Sequence, residues 1–228
     1  MSYTMTHILV AENVAKHIKG IKDFPTYIVG SIAPDAVHAR ADYDPAQKEK
    51  SHLFTEGLRW GHVENDSQVT AWVNNVRDYY YTHKGTIDFD FLLGYMVHLF
   101  SDVYSSVHFY GPIVLAVGAD FEEMRERFVK ENFAYNYYLY REYSRGKDLR
   151  AILDAGKAVT LKGAIEKEDI EKRIRLLFEK EFTEKDISDI DSFEICTHEV
   201  MKQLIEGSTE LVLSELKKLD RELYEDET

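Results

Sequence analysis

The stretch Gly94-Tyr-Met-Val-His98-Leu-Phe-Ser-Asp102 carries an imidazole and a carboxylate four residues apart. On a helix that spacing stacks two side chains on one face, so His98 and Asp102 would aim a nitrogen and an oxygen at one point. The surrounding run, from about Phe89 to Tyr110, is apolar and free of proline, which predicts a helix. Leu92, Leu93, Met96, Val97, Leu99, Phe100 and Val103 make it apolar nearly all round, so it should be central and buried. A buried aspartate needs a partner. A cation shared with His98 would supply one; so would a plain His–Asp hydrogen bond, or a role for Asp102 in capping a helix break.

Three further potential ligands stand where elements begin or end. His7 falls in the first turn of the first predicted helix. Asp35 follows Gly30-Ser-Ile-Ala-Pro34, where a buried helix stops, and His52 lies in Lys50-Ser51-His52, where polar residues give way to apolar ones. Divalent metals accept imidazole nitrogen and carboxylate oxygen together, and helical proteins assemble such sites from several helices. His7, Asp35, His52, His98 and Asp102 offer three nitrogens and two carboxylates, enough for one closed or two open sites. Taken singly, His7 reads more readily as a surface residue, Asp35 as a cap after a proline, and His52 as an exposed loop histidine. His38, three residues after Asp35, would approach the same place if that segment is helical. His17, His62, His83 and His198 show no partner pattern, and Lys50 and Arg40 are cations that could meet a phosphate.

The elements that must position these residues are helical. Thr6 to Lys19 has apolar residues at helical intervals, with Gly20 as its stop. Phe24 opens a buried helix with Pro25 in its first turn, and Pro34 ends it. Residues 39 to 50 are polar, contain Pro45 and read as a surface loop. Helical spacing returns over Asp66–Lys84 and in the central run, which Gly111-Pro112 breaks. It continues through the Tyr-rich Phe121–Tyr143, the shorter Leu149–Ala155 and Glu168–Glu181, and the last helix, Phe193–Leu223. Only Val159–Leu161 hints at a strand. The expectation is one all-α domain over residues 1–228, with at least seven helices. The surplus tyrosines around Phe133–Tyr140 suit a partner surface, and so a homo-oligomer, or a substrate cleft.

Composition narrows the classes. An apolar content of 44% over 228 residues suits a real core. Asp plus Glu number 41 against 28 Lys plus Arg, a formal charge of −13, which argues against an extended nucleic-acid footprint. No apolar run approaches a transmembrane span. The N-terminus has no basic segment leading into an apolar core, and Cys196 is the single cysteine, so a reducing cytoplasm is the expected location.

The ordered set His … Gly-x-x-x-Pro-Asp … Lys-Ser-His … Gly-Tyr-x-x-His-x-x-x-Asp, from Thr6 to Asp102, resembles the zinc-dependent phospholipase C family. That family shares its helical fold with the fungal single-strand-specific nucleases. The resemblance implies an all-α fold, a cluster of up to three zinc ions and hydrolysis of phosphodiesters. It implies that Asp35, His52, His98 and Asp102 ligate one metal, and that His7 and the second Asp102 oxygen hold a neighbour. His108, six residues past Asp102, is similar to where the family places a histidine of its remaining site. Two features depart from the pattern. Secreted members use a processed N-terminal amine as a ligand, whereas Met1 lies six residues before His7; they also carry a later His-x-x-x-Glu, and no histidine occurs here between His108 and His198.

The function implied is hydrolysis of a small-molecule or lipid-headgroup phosphoester by a metal-activated water, with Asp35 or Asp102 orienting that water or taking its proton. Zinc is the implied metal, and mixed N/O ligation also suits manganese, iron or nickel. A phospholipid substrate lacks support from any basic membrane-facing helix. The alternatives are a helical binding module with a structural metal, or another helical metallophosphohydrolase. The latter is opposed by the absence of a His-Asp doublet, and no His-Glu-x-x-His is present to suggest a zinc peptidase.

Overall fold

The computed structural model describes residues 3–58, 62–113 and 121–223. Among the described residues the fold is all-α, in the order α1 (Thr4–Ala15), α2 (Phe24–Ile32), a 3-10 helix (Pro34–Ala39), α3 (Pro45–Ser51), α4 (Asp66–His83) and α5 (Phe89–Ser105). After a π-helical turn (Ser106–Tyr110) come α6 (Phe121–Tyr143), α7 (Leu149–Ala155), α8 (Lys167–Leu176) with its π-helical extension (Leu177–Glu181), and α9 (His198–Leu219). The strand hint at Val159–Leu161 reduces to one bridge between Leu161 and Ile165.

α5 is the axis of the molecule. Every residue from Asp90 to Val103 is buried, and α1, α2, α4 and α9 all pack on it. Its most extensive contact is with α2, and two glycines make that crossing close. A Cβ on Gly94 would stand 2.0 Å from the Tyr27 carbonyl oxygen, and one on Gly30 would stand 2.2 Å from the Phe91 carbonyl oxygen. The backbones therefore touch at a distance only glycine permits on both sides. The start of the crossing is tied as well. Asp90 accepts hydrogen bonds from the backbone N–H groups of Lys22 and Asp23, and Asp23 caps α2 by accepting from Thr26 N–H.

Several sequence boundaries move for identifiable reasons. α1 starts at Thr4, because Asn136 of α6 accepts from Met5 N–H at 2.9 Å and so caps it from outside; it ends by Ala15, before Gly20, where φ is +92°. The expected loop over residues 39–50 contains α3, whose start Asp44 caps by accepting from Ala46 and Gln47 N–H. The Gly111-Pro112 break is not where expected, since Gly111 keeps right-handed helical dihedrals. α9 begins at His198 rather than Phe193, because Thr197 caps it by accepting from Val200 N–H.

The Tyr-rich face of α6 is engaged within the chain. Tyr140 stacks on Phe182, with centroids 4.3 Å apart. Tyr135 joins a second apolar cluster with Phe128, Phe193 and Cys196. Both are intramolecular contacts.

The α2–α5 contact sets a stability test. Gly94→Ala should cost about 3 kcal/mol or more, because backbone rather than a side-chain tip must yield. Chemical denaturation of wild type and variant measures it, and a change below about 1 kcal/mol would mean that the crossing is looser than described.

Candidate metal centre

Four elements deliver the five residues chosen from sequence to one buried place. α5 presents His98 and Asp102, with His98 Nε2 3.9 Å from Asp102 Oδ2. The tight α2 crossing puts the Ser31 carbonyl oxygen 2.8 Å from His98 Nδ1. A carbonyl only accepts, so Nδ1 carries the proton and the Nε2 lone pair faces inward.

His52 is held in the same way. It caps the C-terminus of α3, and its Nδ1 lies 3.1 Å from the Lys48 carbonyl oxygen, leaving Nε2 to face the cluster. Leu53 then takes the left-handed conformation at φ +54°. Leu53 N–H donates to the Lys50 carbonyl and Phe54 N–H to the Glu49 carbonyl, a paired helix stop. The carbonyls around this stop are taken by buried neighbours: Tyr95 OH donates to Ser51 O, and Trp72 Nε1–H to His52 O at 2.8 Å. A strained residue is thus fixed from α4 and α5, and His52 with it.

His52 Nε2 stands 3.4 Å from Asp102 Oδ2, 3.4 Å from Asp35 Oδ1 and 3.3 Å from His98 Nε2. His7, brought in by α1, lies with Nε2 3.5 Å from Asp102 Oδ1, and its ring stacks on His98 at 3.7 Å. The two Asp102 oxygens therefore face different histidines. His7, Asp35 and His98 offer potential ligand atoms all within 4.8 Å of one another, and so do His52, His98 and Asp102.

The electrostatics suit a cation. Burial pushes His7 and His98 down to about 3 and lowers His52 as well, so all three are neutral donors near pH 7. Burial alone would raise the Asp35 carboxyl, but Lys48, 3.3 Å away, with His52 and His38, outweighs it and holds Asp35 well below the usual range. His7 is 1% exposed, and neither of its ring nitrogens has a hydrogen-bond partner among the described residues. Such an orphan is costly in a core, and a metal would satisfy it. Neutral imidazole nitrogen with carboxylate oxygen is a donor set zinc accepts, so the residues fit that ion.

His38 also arrives, its Nδ1 3.4 Å from Asp35 Oδ1 at the more exposed side of the cluster. The 3-10 helix makes this possible, because three residues per turn put positions 35 and 38 on one line. His108 does not arrive. The π-helical turn that follows α5 carries it to another face; His108 is exposed and leans on Tyr104 beside a separate cavity of about 280 Å³ that Arg77 and Glu215 also line. Lys50 and Arg40 are elsewhere too, Lys50 exposed and Arg40 bonded to Asp169 at 2.9 Å. The cation that sequence reading missed is Lys48. Its i, i+4 relation to His52 would have revealed it had α3 been recognised.

A sequence model of the zinc-dependent phospholipase C family matches residues 6–203. The chain belongs to that family. Neither the curated proteins nor the solved structures contain a match to it. The zinc-dependent phospholipase C family is zinc-dependent by definition, and this member's cluster offers His and Asp groups that could bind the metal. Together these support a metal-dependent phosphoester hydrolase. Among the described residues, no helix is long and apolar enough to cross a membrane.

The depressed histidines set a pH dependence for the metal-free protein. Their ordinary value of 6.5 applies when unfolded, against about 3 for His7 and His98 when folded. Below pH 6.5 the unfolded chain binds protons that the folded chain refuses, so stability is lost as pH falls. The slope is about 1–3 kcal/mol per pH unit between roughly pH 6 and 4. Urea unfolding in the presence of a chelator at pH 7, 6 and 5 should show it, and a flat profile would contradict the burial of neutral imidazoles.

Proposed function

We propose that the protein is a phospholipase C-like phosphodiester hydrolase in which His7, Asp35, His52, His98 and Asp102 hold zinc. The observation that carries this reading is the gathering of three neutral imidazoles and two carboxyl groups into two adjoining buried triads that share His98, with both His7 nitrogens unpartnered. His52 and His98 supply Nε2, each ring fixed through Nδ1 by a backbone carbonyl. Asp102 divides its oxygens between the His52/His98 side and the His7 side. His108 has no part in this ligand set.

Zinc held there supplies Lewis acidity, acidifying water and neutralising charge on phosphoryl oxygens. The chain's own residues do the rest. The cluster's more exposed neighbours lie on the Asp35 side, where the His38 side chain is 21% exposed and Tyr43, whose ring packs on His38, is 39% exposed. Asp35 is therefore the carboxyl group that meets an entering water. Its depressed proton affinity makes it better at orienting that water than at keeping its proton, which passes on to the leaving oxygen as the ester bond to phosphorus breaks.

The substrate class we assign is a small-molecule or lipid-headgroup phosphoester, with the chain acting as one domain in the cytoplasm; the lone, buried Cys196 suits a reducing compartment. A purely structural metal is the competing reading, favoured by the complete burial of His52 and His98. Asp102→Ala should remove zinc and hydrolysis together, weakening zinc by more than about 100-fold, since even outer partners of a zinc ligand are worth 10–100-fold. Asp102→Asn should weaken zinc less, because it keeps shape and loses charge. His17→Ala, at an exposed position just past the end of α1, should leave zinc content unchanged. Zinc analysis with phosphomonoester and phosphodiester assays tests all three. Equal zinc in wild type and Asp102→Ala would remove the site, and zinc without hydrolysis of either ester class would favour the structural reading.

A further inference from the structure

We infer that the Ser51 hydroxyl is the positioning group that keeps the ring proton of His52 on Nδ1 and so leaves Nε2 bare for zinc. The inference rests on the zinc-site reading above and adds to it a residue outside the ligand set.

His52 has acceptors on both sides of its ring. On the cluster side, Nε2 faces His98 Nε2 at 3.3 Å and one oxygen each of Asp35 and Asp102 at 3.4 Å. These draw the proton toward Nε2, the atom a metal needs unprotonated. On the other side, Nδ1 has Ser51 Oγ at 2.9 Å and the Lys48 carbonyl oxygen at 3.1 Å. N–H···O bonds run from about 2.7 to 3.2 Å, so only the Nδ1 side offers acceptors within full hydrogen-bond reach. His98 needs no such help. Its Nδ1 has the Ser31 carbonyl at 2.8 Å, and its Nε2 stands 3.9 Å from Asp102 Oδ2.

The Lys48 carbonyl sets the direction of the Ser51 bond. Ser51 Oγ lies 3.2 Å from that oxygen and donates to it. A hydroxyl has one proton to give, so Oγ is then left to accept from His52 Nδ1–H. In this arrangement every donor of the three groups has an acceptor. In the opposite one, Ser51 would donate to Nδ1, and the Nδ1 lone pair would face the Lys48 carbonyl oxygen at 3.1 Å with no proton between them. Ser51 and His52 are both 0% exposed, so protein groups make this choice. Ser51 is itself pinned from α5, where Tyr95 OH donates to its backbone carbonyl. The hydroxyl touches neither metal nor substrate; it acts through the His52 ring.

The test uses the full chain with isotope-labelled histidine, whose ring-nitrogen resonances report which nitrogen carries the proton. The His52 resonances are identified by their loss in His52→Asn. Wild type, Ser51→Ala, Ser51→Cys and Ser51→Thr are compared without metal by this signal and by urea unfolding, and their zinc affinity is measured by competition with a chelator. Wild type should show His52 protonated at Nδ1. Ser51→Ala should shift part of that population to Nε2 and bind zinc about 10- to 100-fold more weakly, the worth of an outer partner of a zinc ligand. Ser51→Cys keeps the shape with a poor acceptor and should behave like Ser51→Ala, whereas Ser51→Thr keeps the hydroxyl and should keep most of the zinc affinity. A residue that only packs would change unfolding without moving the proton. If Ser51→Thr does not fold around its extra methyl, the Ala and Cys variants decide. A wild-type His52 protonated at Nε2, or an unchanged proton position or zinc affinity in both hydroxyl-free variants, would overturn the role of Ser51 and leave the zinc site standing. Failure of wild type itself to take up zinc would overturn both.

Discussion

Helices α2 and α5 cross with their backbones in contact at Gly30 and Gly94, and the geometry of the candidate metal centre depends on that contact. Were a side chain present at either position, the helices would separate by more than an ångström, and the Ser31 carbonyl would leave His98 Nδ1. His98 would then lose the hydrogen bond that fixes its tautomer, and Asp35, which follows the end of α2, would retreat from His52. The two glycines therefore act on chemistry through geometry. Packing energy from the apolar residues of α5 holds the crossing together, and its closeness determines where the nitrogens point.

The same core makes the cluster electrically unusual. Five ionisable side chains share a space that excludes water, and burial keeps the imidazoles neutral. Lys48 is the ammonium paired with Asp35. Water cannot relax this arrangement, so the groups must satisfy one another or a bound ion. The unpartnered His7 nitrogens show that among themselves they do not fully succeed. Three neutral imidazoles beside two carboxyl groups, with His7 unsatisfied, describe a preassembled candidate cation site.

The part of the site that follows local periodicity was legible in the sequence. His98 and Asp102 share a face because they are four apart on an apolar helix, and Asp35 stands at a helix end because proline puts it there. α3 was missed because its residues are polar: Pro45–Ser51 buries little, and its signal is a cap, Asp44 before Pro45, rather than a hydrophobic stripe. Losing α3 meant losing Lys48, whose relation to His52 exists only on a helix. His108 was named by the family resemblance, as similar to a histidine of a remaining site, and it lies exposed beside Tyr104, away from the other ligands. The start of α1, which carries His7, is capped by Asn136 from another helix, a contact 131 residues away that no window of sequence contains. The tyrosines of α6 looked surplus to one stripe because they serve two apolar clusters.

The central claim is that one buried cluster holds zinc through His52, His98 and their carboxylate neighbours. Crystals of the zinc-loaded protein, measured on both sides of the zinc absorption edge, test it most directly. The account predicts an anomalous peak about 2.0–2.2 Å from Nε2 of both His52 and His98, with a carboxylate oxygen of Asp102 or Asp35 completing the contact. Fully loaded crystals with no peak at that cluster, or with their zinc held at His108 or His198 instead, would contradict it.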